Sequence, residues 1–299
     1  MYKILTDSVI RNDFENRRGN AVMYSALTRF ESKIPTGKFA VKYVMNGWEQ
    51  YTVRDKQFIL NSGDYLLCNA ASEGKVLVDN LHQVQGICID IEQTLMSEVV
   101  ASLRSPDSSI PDLNLGSFFC TEEFLEQTFN AYQSKLGSLL KKIEHIIQKS
   151  PFESHQFELE FYYYLAEAIV DDYIPTVKEF RTLRCIKLST KRDLFRKLSE
   201  GKNFMDNHYC IDIDISEVAR QSNISQYHFF RLFRMMYGMS PYQYIRNKRL
   251  VKANQLLKTK DMPLAQLAMD IGYSDIYSFS KAYKQFYGAA PSSDRDIKE

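Results

Sequence analysis

Between Ile215 and Pro291 the chain states one local pattern twice, and few folds accommodate such a duplication. The first copy, ISEVARQSNISQYHFFRLFRMMYGMSP, runs from Ile215 to Pro241, and the second, LAQLAMDIGYSDIYSFSKAYKQFYGAAP, from Leu264 to Pro291. Ala219 and Ala268, like Ser225 and Ser274, correspond at an offset of 49. Phe229 and Phe279, Phe233 and Tyr283, Gly238 and Gly288, and Pro241 and Pro291 correspond at 50, so the second copy has gained one residue between its turn and its second helix. In the first copy a short helix with Val218 and Ala219 inward, a polar turn from Gln221 to Ser225 and a helix with apolar residues at 229, 232, 233 and 236 form two helices around a tight turn. That is the spacing of a helix-turn-helix, and the chain carries it twice.

The rest of the chain is read as serving that stretch. At 299 residues, with 44% hydrophobic and 25% charged content, it has the length and composition of two ordinary soluble domains. MYKILTDSVIRNDF has no basic stretch followed by an apolar run, and no segment reaches the length of a membrane span, so a cytoplasmic protein with no membrane partner is expected. Cys68, Cys88, Cys120, Cys185 and Cys210 are scattered without a C-x-x-C pair, which points to reduced thiols, with no metal and no cofactor. Residues 186–299 carry a formal charge of +7 and residues 1–185 one of −6. A basic half joined to an acidic half places any polyanion at the C-terminal end.

From Thr28 to Ile91 short β-branched and aromatic runs are punctuated by Asn46-Gly47, Arg54-Asp55 and Ser62-Gly63-Asp64, which read as turns between antiparallel strands. Phe39, Val41, Tyr43 and Met45 fall on one face of the first run, and Ala40, Lys42, Val44 and Asn46 on the other. KVLVD and VQGICIDI continue the series, as in a sandwich or barrel of the jelly-roll type. The aromatic faces, with Phe39, Tyr43, Trp48 and Tyr51, are candidates for a ligand pocket; the bland alternative makes them core. His82 is the one histidine of this segment, so a metal-dependent enzyme is not expected there.

Ser102 to Ser117 reads as a boundary loop, after which the period turns helical. Thr121 is a candidate N-cap, and Leu125, Phe129, Tyr132, Leu136, Leu139, Ile143 and Ile146 recur at alternating steps of 4 and 3. This is either a heptad seam pairing two subunits or an amphipathic helix packed in its own domain, with Leu140 and Ile147 widening its stripe. A second helix is expected from Ser154 to Tyr173, closed by Pro175, making a helical hairpin. Lys187, Lys191, Arg192, Arg196 and Lys197 cluster in and just after a linker placed at 176–190, and Ser189 or Thr190 is expected to cap a helix running to Ser199 with Gly201 just past its end.

In the first motif Asp214 and Glu217 have capping-box spacing, and Tyr227, His228, Phe230, Arg231 and Arg234 point outward. Exposed side chains on the N-terminal half of such a second helix can enter a major groove, where Arg pairs bidentately with guanine and an apolar ring meets a thymine methyl. The outward positions of the second copy are Ile276, Tyr277, Ser278, Ser280, Lys281 and Lys284. Pro241 opens a longer helix with Ile245, Leu250, Ala253, Leu256 and Leu257 inward and Arg246, Lys248, Arg249 and Lys252 on its remaining surface. That helix is expected to hold the two motifs at fixed separation.

Leu198 to Pro291 resembles the DNA-binding domain of the AraC/XylS family of bacterial transcription regulators. The residues that carry the resemblance are SEVA, SQYHFFRLFRMMYGMSP, RLVKANQLL and IGYSDIYSFSKAYKQFYGAAP, about a third of the chain. The N-terminal segment is similar, by pattern only, to the cupin-like sensor domains of many members. The resemblance implies an α+β multidomain protein: a cupin-like β-barrel sensor over residues 1–101, a helical hairpin over 118–175 with a possible dimer role, a linker over 176–190, and an all-α DNA-binding domain with two helix-turn-helix motifs over 191–299. It implies base contacts from Tyr227, Phe230 and Arg231 and from Ser278, Ser280 and Lys281. Arg234, Arg246, Arg249 and Lys284 are expected on the DNA backbone. Phe230 departs from the family, where a polar residue is more usual, and SSDRDIKE lacks the common aromatic-arginine ending. The function implied is a sequence-specific regulator of double-stranded DNA, an activator by the commoner mode. It would act as a homodimer, recruit RNA polymerase and sense a small-molecule effector. Two alternatives are a DNA reader whose N-terminal half is an interaction module without ligand, and an enzyme fused to a DNA reader.

Overall fold

The computed structural model describes residues 1–8, 19–34, 37–54, 56–102, 115–185, 187–259 and 262–295, and the chain divides into two units, Met1–Lys178 and Glu179–Glu299. The first is built on one sheet of eight strands: β1 Tyr2–Thr6, β2 Ala21–Lys33, β3 Lys38–Asn46, β4 Trp48–Val53, β5 Lys56–Asn61, β6 Asp64–Cys68, β7 Gly74–Glu92 and β8 Thr128–Asn130. The expected turns between Asn46 and Asp64 fall between these strands, with Asp55 outside the described residues. KVLVD and VQGICIDI merge into the single long β7, which pairs with β2, β3 and β4. The strand order is β1-β2-β7-β3-β6-β8, with β4 and β5 branching from β7; β1 runs parallel to β2 and the other pairs are antiparallel. Among the described residues these pairings do not close on themselves, so the sheet is mixed and open.

Both faces of β3 are buried. Ala40 and Val44 join Leu5, Met23, Leu27 and Tyr51 in one core, while Phe39 on the other face packs edge-on against Phe124 at 5.3 Å. This divides the four expected pocket residues. Tyr51 lines a cavity, which Tyr43 borders while turning its ring to the face of Phe39, where its hydroxyl donates to Glu144; Phe39 belongs to the aromatic core on that face, and Trp48 is 37% exposed. Phe39 and Tyr43 share parity on β3 and therefore one face, while Ala40, Lys42 and Val44 face the other side.

Four helices complete this unit: α1 Gln93–Ser102, α2 Leu115–Cys120, α3 Lys135–Lys149 and α4 Leu159–Thr182, the last running past the unit boundary. Most of the expected boundary loop, residues 103–114, lies outside the described residues. The helix expected from Thr121 starts only at Lys135, where Ser134 caps it by accepting the Gly137 N–H. The intervening chain is drawn to the sheet instead: Phe118, Phe119, Phe124 and Tyr173 form an aromatic cluster, the Tyr173 hydroxyl donates to the Leu125 carbonyl, and Phe129 on β8 stacks on Tyr65 at 5.3 Å. Leu125, Phe129 and Tyr132 therefore lie off any helix that carries Leu136, Leu139, Ile143 and Ile146, and no heptad seam runs through the seven. Within α3 the inward stripe is Leu136, Leu140, Ile143 and Ile147, Leu139 is half-buried and Ile146 is exposed, which is the internally packed reading.

Pro175 lies inside α4 and does not end it. The expected linker, 176–190, consequently contains the end of that helix and the start of the next. Val177, two residues beyond the proline, is fully buried, and Phe180 packs edge-on against Phe195, both in the second unit, at 5.6 Å.

The second unit is helical: α5 Leu188–His208, α6 Ile215–Gln221, α7 Gln226–Tyr237, α8 Pro241–Thr259, α9 Leu264–Asp270, α10 Ile276–Tyr287 and α11 Pro291–Arg295. Lys187, not Ser189 or Thr190, occupies the N-cap of α5. Gly201 lies within that helix because the Phe229 ring packs where a side chain would be, 2.7 Å from a Cβ built there. Of the chain end SSDRDIKE, residues 296–299 lie outside the described residues. Among the described residues no helix is long and apolar enough to cross a membrane.

Candidate nucleic-acid interface

Both duplicated segments fold as short helix, turn and longer helix. In the first, the Asp214 carboxylate accepts from the Ser216 N–H and hydroxyl at 2.8 and 2.7 Å and starts α6. Glu217 does not reach back as a capping box would; it accepts from Arg220 and Gln221. The Ser216 hydroxyl and N–H hold the Asp214 carboxyl below its usual pKa. The turn passes through Asn223 at φ +50°, a left-handed conformation that Asn tolerates better than most side-chain-bearing residues. On α7, Phe229, Phe233 and Met236 face inward, and Gly238 at φ +73° closes the helix by donating to the Arg234 carbonyl.

The second motif repeats this frame with other residues. Its turn places Gly272 at φ +85°, where an added Cβ would stand 2.5 Å from the Cys210 carbonyl oxygen. Asp275 caps α10, accepting the Ser278 N–H at 2.7 Å and hydroxyl at 2.8 Å, and these bonds hold its carboxyl below the usual range. Phe279 and Tyr283 are fully buried, and the Tyr283 hydroxyl accepts from Asn254 of α8 at 2.6 Å. Leu250, Ala253 and Leu257 of α8 join Leu267, Ala268 and Ile271 in the same core.

The outward faces of α7 and α10 differ in content. Tyr227 is 72% exposed, with Arg231 and Arg234 exposed beside it. Phe230 is half-buried, its ring 5.6 Å from that of Tyr242, so it is committed to packing against the start of α8. On α10, Lys281 and Lys284 are exposed, Ser280 is half-buried, and the hydroxyl of Ser278 is spent on Asp275. Arg246 on α8 is exposed.

Arg249, expected on the DNA backbone, has its guanidinium engaged within the unit. Its guanidinium donates to three carbonyls, of Tyr209 at 2.6 Å, Gly272 at 2.7 Å and Ile211 at 2.8 Å. It is a brace tying the segment before α6 to the turn of the second motif, because a planar fork satisfies several orphan carbonyls at once. Lys248 is likewise engaged, 2.8 Å from Asp206, which also receives Lys202 and the Tyr244 hydroxyl. Burial pushes the Asp206 carboxyl up, but these partners outweigh it and hold it below its usual value.

Tyr277, expected to point outward, is 75% exposed at the position matching Tyr227; two residues on these faces were not singled out from sequence, Tyr242, which supports Phe230, and Asp275, a carboxylate at the tip of α10. The Asp275 to Ser278 spacing is a helix-cap signal and was legible. The Tyr242 contact joins two helices and was not.

Residues 218–296 match a family model described as a helix-turn-helix domain. The chain is 34% identical over 90 residues to the probable transcriptional regulator LumQ of Photobacterium leiognathi, covering 30% of this chain and 36% of that protein. It is 33% identical over 96 residues to the HTH-type transcriptional regulator ExsA of Pseudomonas aeruginosa, covering 32% of this chain and 34% of that one. The chain thus spans about a third of the length of these relatives. The crystal structure of an AraC-type transcriptional regulator from Chromobacterium violaceum is similar at 26% identity, covering 34% of this chain and 90% of that one, with a TM-score of 0.33, at which the superposition says nothing of function.

Proposed function

We propose that the C-terminal unit is a DNA-binding domain of the AraC/XylS family and that the chain is a sequence-specific DNA-binding transcription regulator, acting as an activator. One observation carries the reading: the family match spans both motifs, and each motif turns a basic helix face outward, with Arg231 and Arg234 on α7 and Lys281 and Lys284 on α10. Tyr227 and Arg231 read bases from the first motif and Lys281 from the second, with Phe230 and Ser278 supporting them from packed or capped positions. Arg234, Arg246 and Lys284 take phosphates. The relatives it matches are named as regulators, and the chain is read as one, not as an enzyme.

In this reading the N-terminal sheet is a cupin-like sensor of a small molecule, supported by its inward-facing cavity, and the protein works in the cytoplasm as a homodimer that contacts RNA polymerase. Selection of bound sequences from random duplex DNA tests the core of it. A defined motif with paired elements is expected; recovery of unrelated sequences would remove sequence-specific reading. Sedimentation with and without the selected DNA reports the dimer.

A further inference from the structure

The interior face of the N-terminal sheet carries charged side chains where a core would be apolar. Lys42 on β3 and Glu49 and Tyr51 on β4 are each about 5–6% exposed and line one cavity together with the apolar Met23, Leu27 and Val78. The Lys42 ammonium is directed at Cys88 Sγ, 2.8 Å away, and that sulfur lies 3.5 Å from the Asp90 carboxylate. The lysine is therefore engaged on the β7 side of the cavity, with a buried carboxylate close by.

Glu49 has no such balance. Its Oε2 accepts the Tyr51 hydroxyl at 2.5 Å, and among the described residues nothing donates to Oε1 and no cation forms an ion pair with the group. Burial pushes its carboxyl pKa up, against the pull of Tyr51 and Lys42. The space before Oε1 is kept open by Gly86, since a Cβ there would stand 2.9 Å from Oε1 and 3.0 Å from Ser25 Oγ. A buried carboxylate with one hydrogen bond and an open face leaves Oε1 able to accept from a further donor.

We propose that this cavity binds a small molecule bearing a protonated amine on an apolar body, with Glu49 as the anchor for the ammonium group. The inference rests on reading the N-terminal unit as a sensor. The cavity, about 40 Å³, has room for an ammonium and its first carbons, and Met23, Leu27 and Val78 in its lining suit an apolar body. A carboxylate ligand would meet Glu49 head-on and would find Lys42 already engaged.

The test uses the full chain and three probes of one shape, 3-methylbutylammonium, 3-methylbutanol and 3-methylbutanoate, followed by thermal shift and calorimetry. The ammonium is expected to raise the melting temperature of the wild type. Its affinity should fall about tenfold or more in Glu49→Gln, which removes the charge while keeping the volume. Gly86→Ala, which fills the space before Oε1, should weaken it in the same direction while leaving Glu49 in place. Ammonium binding that survives both substitutions places it elsewhere and overturns the assignment. Preference for the butanoate or the alcohol also overturns it but leaves the sensor reading standing. Silence of all three probes overturns it, and silence of a wide metabolite panel as well would remove the sensor reading itself.

Discussion

The two helix-turn-helix motifs share a frame and differ in surface. Phe229 and Phe279, Phe233 and Tyr283, and Ala219 and Ala268 occupy equivalent buried positions, and Gly238 and Gly288 end the second helices in the same left-handed conformation. Outside that frame the copies part. α7 starts at Ser225 without a side-chain cap bond and presents Tyr227, Arg231 and Arg234; α10 starts at a capping Asp275 and presents Tyr277, Lys281 and Lys284. The core constrains shape in both copies, whereas the outward positions are free to vary, so asymmetry collects where DNA would be met. The second copy also carries a negative charge at its tip, which opposes phosphate.

The largest expected effect is on the brace between them. Arg249→Ala should cost about 2–4 kcal/mol of unfolding free energy in urea, since three carbonyls lose a charged donor. Loss of DNA binding with unchanged stability would instead return Arg249 to the interface. Next come the turns. Gly272→Ala should destabilise by about 2–3 kcal/mol, combining a left-handed φ with a backbone clash, while Asn223→Ala costs about 1 kcal/mol and Asn223→Gly close to none. Equal losses at 223 and 272 would mean that the two turns are held alike.

On the surfaces, Arg231→Ala should relax preference at one base position by about 1–3 kcal/mol, and Lys281→Ala by less, with a uniform weakening across sequences. Selected-site affinities for both variants measure this, and a larger loss of discrimination at Lys281 would reverse the ranking of the two readers. The smallest change is at Asp275. Asp275→Asn keeps a capping oxygen and removes the charge, so DNA affinity should rise and the cap persist. Because the folded-state pKa of Asp275 is lowered, the part of the cap due to its charge is present above the unfolded carboxylate value, near 4, and is lost as pH falls through the lower folded value. Melting temperatures of wild type and Asp275→Asn should converge in that acidic window and separate above it.

The duplicated motif, its glycine and proline endings and its buried aromatic positions were legible in the sequence, because helix periodicity and caps are set by residues a few positions apart. The turns around Gly47 and Gly63 were legible for the same reason. What depends on side chains meeting across the fold was not. The 4 and 3 spacing from Leu125 to Ile146 satisfies a heptad, yet Phe124 and Phe129 pack on Phe39, Tyr65 and Tyr173, and the helix is capped by Ser134 instead of Thr121. Arg249 looks like any basic residue on a helix until three carbonyls converge on it, and Glu49 looks like a surface acid until the sheet folds over it. Sequence alone determined that the C-terminal unit carries two helix-turn-helix motifs on one frame. Only the tertiary structure decided which charges face outward and which are buried, since burial and hydrogen-bond partners depend on contacts between residues far apart in the chain.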